Sequence, residues 1–419
     1  MLSQSTKLYK NLQRHYSRRI NLDLQRIKNV LAKLNRPELE IKNPINILGS
    51  DGKMSILTSL KYFLMADKKK VNTFTSPHLY DFRHRIWLEN RFITLSEIKK
   101  YRKIIENTGL KLTLFELLTC IYILAAKNKK KADYNLIEAG LLFKKDSTNL
   151  WREPKIQVVG NVNYQHQDWV KPQTLEEICK QKISSLSNFT TIYIAKQNPK
   201  TLKIIKNILN KNKSKKIFYN KWKVKKKNKY YIYKDEYHTI PIKSKNIHSK
   251  GLNQNLGLAI KIALDLGISK KKIIKTIPKI QFEGRIQYIR KGNLKKILNK
   301  NEEILIDGCH SIESAKNLYS YLKTLKTPIY GIWGMSKNKL PEKFIKEFKK
   351  IFKQIVIVKV PNEKNSCKIL KLKNAASKYF NVSSEKSIAL ALKKLSSKQE
   401  KTIVVFGSLY LIGEFLKKN

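Results

Sequence analysis

Gly49-Ser50-Asp51-Gly52-Lys53-Met54-Ser55 is a glycine-rich turn between two patterned segments. The mostly apolar residues 45–48 before it predict a short buried strand, and apolar residues within 54–64 recur at helical spacing after it. A strand, a glycine-rich turn with a lysine, and a helix direct backbone N–H groups and the positive helix end at a phosphate. This stretch therefore predicts an α/β fold with a phosphate site, at which Lys53 would reach the β- and γ-phosphates.

Short apolar strands alternate with amphipathic helices on both sides of this turn. Further strands are predicted at residues 71–75, 134–137, 156–162 and 190–195, and helices at 19–36, 112–126, 174–186 and 253–266. Such alternation is typical of a mostly parallel sheet with helices on both faces. Residues 211–242 differ, because they are rich in Lys and Tyr and predict a small antiparallel excursion with strands at 230–233 and 238–242.

A second α/β pattern begins near residue 285. Its strands are predicted at residues 286–290, 303–307, 329–333, 355–360 and 402–406, and its helices at 314–325, 341–352, 370–379 and 387–395. A chain of 419 residues also exceeds the size at which a single core usually stops growing. We therefore predict a phosphate-loop domain of residues 1–284 and a smaller, Rossmann-like domain of residues 285–419.

The composition restricts the location and the partners of the protein. The chain has 87 Lys and Arg residues against 31 Asp and Glu, a formal net charge of +56. A dedicated nucleic-acid surface and a general drift of solvated positions toward Lys both explain this excess; the even spread of the lysines favours drift. Four cysteines without CxxC spacing, an apolar run at 112–126 too short to span a membrane, and no apolar leader predict a cytoplasmic protein.

Taken alone, the glycine-rich turn does not separate a nucleotide site from a chance Gly-Lys turn. The general pattern GxxxxGK[ST] would need glycine at Ile47 and a hydroxyl at Met54. The shorter pattern GxxGKxS does match, and other short motifs follow it in order. These are Thr73-Phe74-Thr75-Ser76-Pro77-His78-Leu79, Arg85-Ile86, Phe115-Glu116-Leu117-Leu118-Thr119, Phe282-Glu283-Gly284-Arg285 and Asp307-Gly308-Cys309-His310.

This series resembles the folylpolyglutamate synthase / dihydrofolate synthase family of the Mur ligase superfamily. That family usually reads GTNGKGS, then YTSPHL, ERI and FExxT, and the similarity runs from about residue 19 to the C-terminus. The resemblance implies an α/β protein with an N-terminal phosphate-loop ATPase domain of the Mur-ligase type and a C-terminal Rossmann-like domain. It also implies that the seven residues of the loop bind ATP. They are Gly49, Ser50, Asp51, Gly52, Lys53, Met54 and Ser55.

The resemblance further implies a site for two Mg²⁺ ions. Glu138 would be shared by both ions, with the Ser76 hydroxyl on one and His166 on the other. Lys182 would carry carbon dioxide as a carbamate, and Lys53, His166 and Lys182 would be the catalytic residues. Without the resemblance, Glu138 also fits a solvated strand end, His166 a structural histidine and Lys182 a solvated helix lysine.

The C-terminal part would add nucleotide contacts. Arg285 would bind phosphate with its planar guanidinium, although an arginine at a linker is the alternative. Asp307 and His310 stand where the family has DGAHNP and would contact the nucleotide.

Several positions depart from the family pattern. Met54 replaces a glycine of the phosphate loop, Leu142-Phe143 replace a Gly-Gly pair, and Gln165 replaces the Asp before His166. Four further departures are Lys144 for Arg, His84 for Glu, Ser311-Ile312 for Asn-Pro and Asn338 for Asp. The residues with direct roles remain, so we expect an active enzyme with an altered phosphate loop.

The implied function is an ATP-dependent ligase that adds L-glutamate to dihydropteroate or to a folate through an acyl phosphate. We expect a monomer whose partners are small-molecule substrates and which has no membrane partner; the charge leaves a nucleic-acid partner open as the less favoured case. Two alternatives stay open at this point. One is another Mur-type amide ligase, and the other is a degenerate ligase fold that binds nucleic acid through its basic surface.

Overall fold

The computed structural model describes residues 3–17, 22–128, 132–228, 230–361 and 363–419. They fold into two compact units. The first comprises Met1–Lys243 and Leu252–Ile280, and the second Ser244–Gly251 and Gln281–Asn419. The two-domain boundary between residues 284 and 285 stays a prediction.

The first unit is built on an eight-stranded sheet within the described residues. Its strands are β1 (Pro44–Leu48), β2 (Val71–Phe74), β3 (Ile86–Leu88), β4 (Arg91–Phe92), β5 (Tyr134–Glu138), β6 (Ile156–Val159), β7 (Thr191–Ile194) and β8 (Lys215–Ile217). The order is β4-β3-β2-β5-β1-β6-β7-β8, and every pair from β2 to β8 is parallel. Strand β1 lies centrally and is buried at all its positions, so its residues are apolar except Asn46, whose Nδ2 donates to the carbonyl oxygen of Thr148 at 3.2 Å.

Helices cover this sheet and form the parallel crossovers. They are α1 (Gln4–His15), α2 (Leu24–Lys33), α3 (Lys53–Ala66), α4 (Leu95–Glu106), α5 (Leu114–Asn128), α6 (Leu175–Ile183), α7 (Pro199–Ile208), α8 (Lys250–Asp265) and α9 (Lys270–Thr276). Side-chain caps set several starts: Thr94 and Glu97 form a capping box on α4, and Thr174 caps α6. Helix α3 differs, because it begins after Gly52 without a side-chain cap.

A small antiparallel sheet follows in the Lys- and Tyr-rich stretch, as the sequence predicted. It consists of β9 (Trp222–Lys227), β10 (Tyr230–Asp235) and β11 (Thr239–Ile242), in the order β11-β10-β9. The first of these strands was not predicted, since its alternating lysines resemble a solvated run. Trp222 and Val224 are nevertheless buried on one face of it.

The second unit contains a six-stranded sheet among its described residues. Its elements are β12 (Gln287–Ile289), β13 (Glu302–Asp307), α10 (Ile312–Leu322), β14 (Ile329–Trp333), α11 (Pro341–Lys346), β15 (Phe352–Ile357), α12 (Ile369–Ser377), β16 (Asn381–Ser384), α13 (Ile388–Leu395), β17 (Lys401–Phe406) and α14 (Leu409–Lys418). The order is β12-β13-β17-β14-β15-β16, with only the β12–β13 pair antiparallel among these pairings. Alternate residues of β13 and β17 enter two separate apolar clusters, so helices cover both faces of the sheet.

The predicted element bounds differ from the observed ones in a few places. The helix predicted at 341–352 ends at Lys346, and turns that include Lys350 at φ +67° lead into β15, which begins at Phe352. The helix predicted at 19–36 is α2, which starts after the Asp23 cap; residues 19–21 lie outside the described part. In the described part of the chain, no helix is long and apolar enough to cross a membrane.

Candidate functional site

The glycine-rich turn joins the central strand β1 to helix α3 and is held against the end of β6. The backbone N–H groups of Ser50 and Asp51 donate to the carbonyl oxygen of Asn161, at 2.8 and 3.2 Å. Gly49 has φ +140°, and a Cβ there would lie 3.1 Å from the Cα of Gly160. Two glycines therefore let the ends of β1 and β6 approach each other and shape the turn.

The start of α3 has the features of an anion site. Gly52 has φ +86° and provides no side-chain cap, so the N–H groups of the first helical turn receive no cap from it. Lys53 places its ammonium at the same turn, where Nζ donates to the carbonyl oxygen of Gly49 at 3.1 Å. A helix N-terminus and a half-buried lysine thus converge at the predicted phosphate position.

Asn255 of α8 supports this turn from the outside. Its Nδ2 donates to Oγ of Ser55 at 2.8 Å, and Ser55 Oγ donates to the carbonyl oxygen of Gly52 at 2.9 Å. A Cβ at Gly52 would lie 2.7 Å from the amide atoms of Asn255. Gly52 is therefore required for its conformation and also for the close approach of α8.

Glu138 ends strand β5, directly beside the end of β1. In the parallel register it pairs with Ile47, and the N–H of Ala139 donates to the carbonyl oxygen of Ile47. The Glu138 carboxylate is buried, and its Oε2 accepts the backbone N–H of Ser76 at 3.0 Å. The carboxylate and the Ser76 residue that the sequence named as metal ligands are therefore neighbours.

The segment after Glu138 contains the Leu142-Phe143 departure. Both side chains are buried in an apolar cluster with residues of α6, including Ile178 and Ile183. Asp146 closes the segment: its Oδ2 accepts the N–H groups of Gly140 and Leu141, and its Oδ1 accepts the N–H and the hydroxyl of Thr148. Leu142 and Phe143 therefore fill the apolar cluster, and the hydrogen bonds to Asp146 hold the turn after Glu138.

Lys182 is buried on α6, with 1% of its surface exposed. Its Nζ donates to the carbonyl oxygen of Leu141 and, at 3.4 Å, to that of Gly49. Burial and the neighbouring Lys53 lower the pKa of Lys182 to about 7, against smaller opposing effects of Asp146 and Asp51. The interpretation of Lys182 as a solvated helix lysine is excluded by this burial, and a neutral, nucleophilic amine is accessible near neutral pH.

His166 lies in the turn after β6 with φ +65°, an unusual backbone conformation for a residue other than glycine. The preceding Gln165 donates from Nε2 to Oδ2 of Asp51 at 2.9 Å. This hydrogen bond brings the turn that carries His166 to the phosphate loop.

The second unit holds Arg285, Asp307 and His310 around Gly308. Asp307 is buried, and its two oxygens accept the N–H groups of Ile286 (2.8 Å) and Cys309 (2.7 Å). Burial raises the pKa of Asp307, opposed by Arg285. A Cβ at Gly308 would lie 2.7 Å from Nη1 of Arg285, so the half-buried guanidinium passes over this glycine.

His310 is tied to the same turn. Its Nδ1 lies 2.9 Å from the carbonyl oxygen of Gly308, and its N–H donates to Oγ of Ser314 at 3.2 Å. The structure thus brings the sequence-predicted residues together in two groups: residues 49–55, Ser76, Glu138, His166 and Lys182 in the first unit, and Arg285, Asp307 and His310 in the second.

A bound cation would find few protein ligands here. Across the described ranges, no group of three or more His, Cys, Asp and Glu side chains is placed to hold a metal ion. Glu138 and Ser76 offer a carboxylate and a hydroxyl, which suit a hard cation that takes its remaining ligands from water and phosphate oxygens. The donor set therefore fits Mg²⁺ bound together with a nucleotide.

Sequence reasoning missed three residues of this site. Asp146, Asn163 and Asn255 each make hydrogen bonds that order the segments around the phosphate loop. Local patterns do not single out Asn163 and Asn255, because their partners lie 112 and 200 residues away. Asp146 could have been found as an acid shortly after a strand end.

Comparisons with known proteins support the fold. Residues 290–418 match the family model "Dihydrofolate synthetase, C-terminal domain". Dihydrofolate synthetase of Saccharomyces cerevisiae is 24% identical over 441 residues, which cover 95% of this chain and 98% of that protein.

Two solved structures are similar over nearly the whole chain. Escherichia coli FolC in complex with DHPP and ADP superimposes with a TM-score of 0.85 at 20% identity, covering 99% of this chain and 97% of that one. A bifunctional folylpolyglutamate synthase/dihydrofolate synthase with Mn, AMPPNP and L-glutamate bound gives a TM-score of 0.84 at 17% identity, covering 99% and 98%. At these identities the superpositions support the fold.

Proposed function

We propose, on the premise that the chain is a member of the dihydrofolate synthase/folylpolyglutamate synthase family, that it is an ATP-dependent ligase forming an amide with L-glutamate. The observation that carries the proposal is the convergence of an uncapped helix N-terminus, Lys53 and the buried Glu138 at the ends of β1 and β5. Anion binding and a divalent cation are both needed to transfer a phosphoryl group, and these residues supply sites for both.

The acceptor is proposed to be the carboxylate of dihydropteroate. This choice rests on the matched family model and on the yeast relative, both of which are named for dihydrofolate synthetase. Extension of folates by further glutamate residues is the second substrate class, because the structural relatives include a bifunctional enzyme.

The reaction has two steps. A carboxylate oxygen of the acceptor attacks the γ-phosphorus of ATP, the bond to the β-phosphate oxygen breaks, and an acyl phosphate forms. The amino group of glutamate then attacks the acyl carbon, loses a proton, and expels inorganic phosphate. Lys53 and the first N–H groups of α3 stabilise the charge that develops on the transferring oxygens.

Magnesium, when bound, would neutralise phosphate oxygens and align them for attack. We propose that Ser76 and Glu138 hold one ion, and that Glu138 and His166 hold a second. A carbamate on Lys182 would add an oxygen ligand and remove the positive charge of its ammonium. Arg285 and His310 of the second unit are proposed to bind the nucleotide, and Asp307 to hold the turn that presents them.

Magnesium-dependent release of ADP tests the proposal. ATP, glutamate and either dihydropteroate or tetrahydrofolate are supplied together and then omitted one at a time. We expect ADP release that requires glutamate and one pterin, is lost in Lys53→Ala, and persists in Lys99→Ala, an exposed lysine of α4. Folded protein that releases no ADP with either pterin would contradict the proposed function.

A further inference from the structure

A carboxylate stands inside the phosphate loop of this chain. Asp51 lies between Ser50 and Gly52, where an acidic side chain would repel a phosphate at close range. Its Oδ2 is instead directed to the neighbouring segment, where it accepts Nδ2 of Asn163 at 2.7 Å and Nε2 of Gln165 at 2.9 Å. The acid is therefore bound by two amides at one edge of the loop.

These contacts belong to a larger attachment between the loop and residues 161–165. Ser50 Oγ donates to the carbonyl oxygen of Asn163 and accepts its N–H, at 3.2 and 3.1 Å. The backbone of Asp51 forms an antiparallel bridge with Asn161. The segment that precedes His166 is thus joined to the phosphate loop by both backbone and side-chain hydrogen bonds.

Both partners of the side-chain contact depart from the family pattern in opposite senses. The pattern GTNGKGS has an amide where this chain has Asp51, and the pattern has an acid where this chain has Gln165. One substitution adds a carboxylate and the other removes one, and the two side chains are in direct contact at 2.9 Å. Asp51 supplies the acceptor and Gln165 the donor of this contact, so the two side chains are complementary as they stand.

We propose that Asp51 and Gln165 act as a hydrogen-bonded pair, and that Asp51 is a positioning residue that holds the turn carrying His166 against the phosphate loop. The role of this turn in nucleotide binding rests on the function proposed above. Asp51 also places a carboxylate near the ammonium of Lys182.

A cycle of three variants tests the pair. Gln165→Glu places a second carboxylate against Asp51, and like charges in contact disfavour each other. Asp51→Asn keeps an oxygen that accepts from Gln165 and supplies the second single-variant arm of the cycle. In the double variant Asp51→Asn/Gln165→Glu, the amide introduced at position 51 donates to the new carboxylate, and the pair is restored in the reverse direction. Gln173→Glu, at an exposed position further along the chain, beyond His166, is the matched control.

The first readout is the Kd of the full-length protein for ADP with magnesium, and the second is the KM for ATP against that for the pterin. We expect Gln165→Glu to weaken ADP binding by about tenfold, and the double variant to return to within about threefold of the unchanged protein. The KM for ATP should follow the Kd, and the KM for the pterin should change little. Should Gln165→Glu fail to fold while the double variant folds, the pair is supported as well.

Two results would overturn the inference. One is a Gln165→Glu protein that binds ADP as tightly as Gln173→Glu does. The other is a double variant as defective as Gln165→Glu, or as unable to fold. Because the Kd needs no pterin and no turnover, a failure of the proposed ligase activity would be seen separately from a failure of the pair.

Discussion

Nδ2 of Asn255 donates a hydrogen bond, 2.8 Å long, to the hydroxyl oxygen of Ser55, across 200 residues of sequence. Ser55 lies in the first turn of α3, and Asn255 lies in α8. The phosphate loop is therefore supported from outside by a helix that the local motif does not include. This relationship makes Asn255 a determinant of loop geometry.

Asn255→Ala should weaken nucleotide binding. The substitution removes the donor to Ser55 and leaves a gap beside Gly52. Loss of one part-buried hydrogen bond costs about 1 kcal/mol of unfolding free energy, and a similar loss at the loop would raise the KM for ATP roughly five- to tenfold. Steady-state kinetics and thermal unfolding measure the two effects. Asn207→Ala, at an exposed position of α7, is the control, and equal KM values for both variants would contradict the assigned role.

Gly52→Ala should be more harmful than Gly109→Ala. Both glycines have positive φ, +86° and +72°, so alanine costs about 1–2 kcal/mol at either position. At Gly109 the added Cβ meets nothing within 4 Å, whereas at Gly52 it meets Asn255 at 2.7 Å. The comparison separates backbone strain from steric displacement. We expect backbone strain to lower the unfolding free energy by a similar amount in both variants, and the KM for ATP to rise in Gly52→Ala alone. The same KM for ATP in both variants would contradict a steric role of the added Cβ at position 52.

Asp307→Ala should destabilise the second unit. Asp307 accepts the N–H groups of Ile286 and Cys309, and Ile286 is held at φ +45°, a strained value for a β-branched residue. Two buried N–H groups without acceptors cost about 2–5 kcal/mol of unfolding free energy. Asp307→Asn keeps one acceptor oxygen and should lose about half as much. Denaturant unfolding measures both variants, and equal stability of Asp307→Ala and the unchanged protein would refute the structural role.

The sequence predicted the elements whose signals are local. Strand β1, the glycine-rich turn and α3 follow from apolar spacing and a glycine, and each lies within two residues of its predicted bounds. The ends of β15 and α11 were less predictable, because apolar residues at 344–352 fit a helix and a buried strand equally well. Predicting the parallel sheets required only the alternation of strands and helices.

Contacts between distant segments were not predictable from local pattern. Nothing near Asn255 indicates Ser55 as its partner, and nothing near Asp51 indicates Gln165. In sequence, the Leu142-Phe143 pair is a departure next to the site, whereas the fold uses both side chains to fill the core against α6. Only three-dimensional packing distinguishes these outcomes.

Removal of carbon dioxide should reduce activity if Lys182 carries a carbamate. Carbamate formation needs the neutral amine, which is accessible because burial lowers the pKa of Lys182 to about 7. We expect turnover to fall in buffer depleted of carbon dioxide and to recover with bicarbonate. Lys182→Met should be inactive and insensitive to bicarbonate. Equal turnover of the unchanged protein in depleted and bicarbonate-supplied buffer would exclude a required carbamate.

The same lysine predicts how stability changes with pH. Its pKa is about 7 in the folded protein against an ordinary value of 10.5. Above pH 10.5 the amine is neutral in the folded and in the unfolded protein, so its titration does not change the unfolding free energy. Between pH 10.5 and 7 the unfolded chain binds a proton that the folded protein does not, so folding loses about 1.4 kcal/mol for each unit that the pH falls. Below pH 7 both states are protonated and the loss is constant.

Lys182→Met removes the group that titrates. It also removes two hydrogen bonds to carbonyl oxygens, and the free energy lost with them is the same at every pH. Relative to the unchanged protein, the variant should therefore gain about 2–3 kcal/mol of unfolding free energy when the pH falls from about 9.5 to about 7.5. Urea unfolding at the two pH values, in buffers free of carbon dioxide, measures the difference. Lys180→Met, an exposed lysine of α6, should show no such change, since its ammonium is solvated in both states. The unfolding free energy of Lys182→Met, taken relative to the unchanged protein, is the quantity compared at the two pH values. If this relative free energy stays constant, or grows with rising pH, Lys182 is charged in the folded protein.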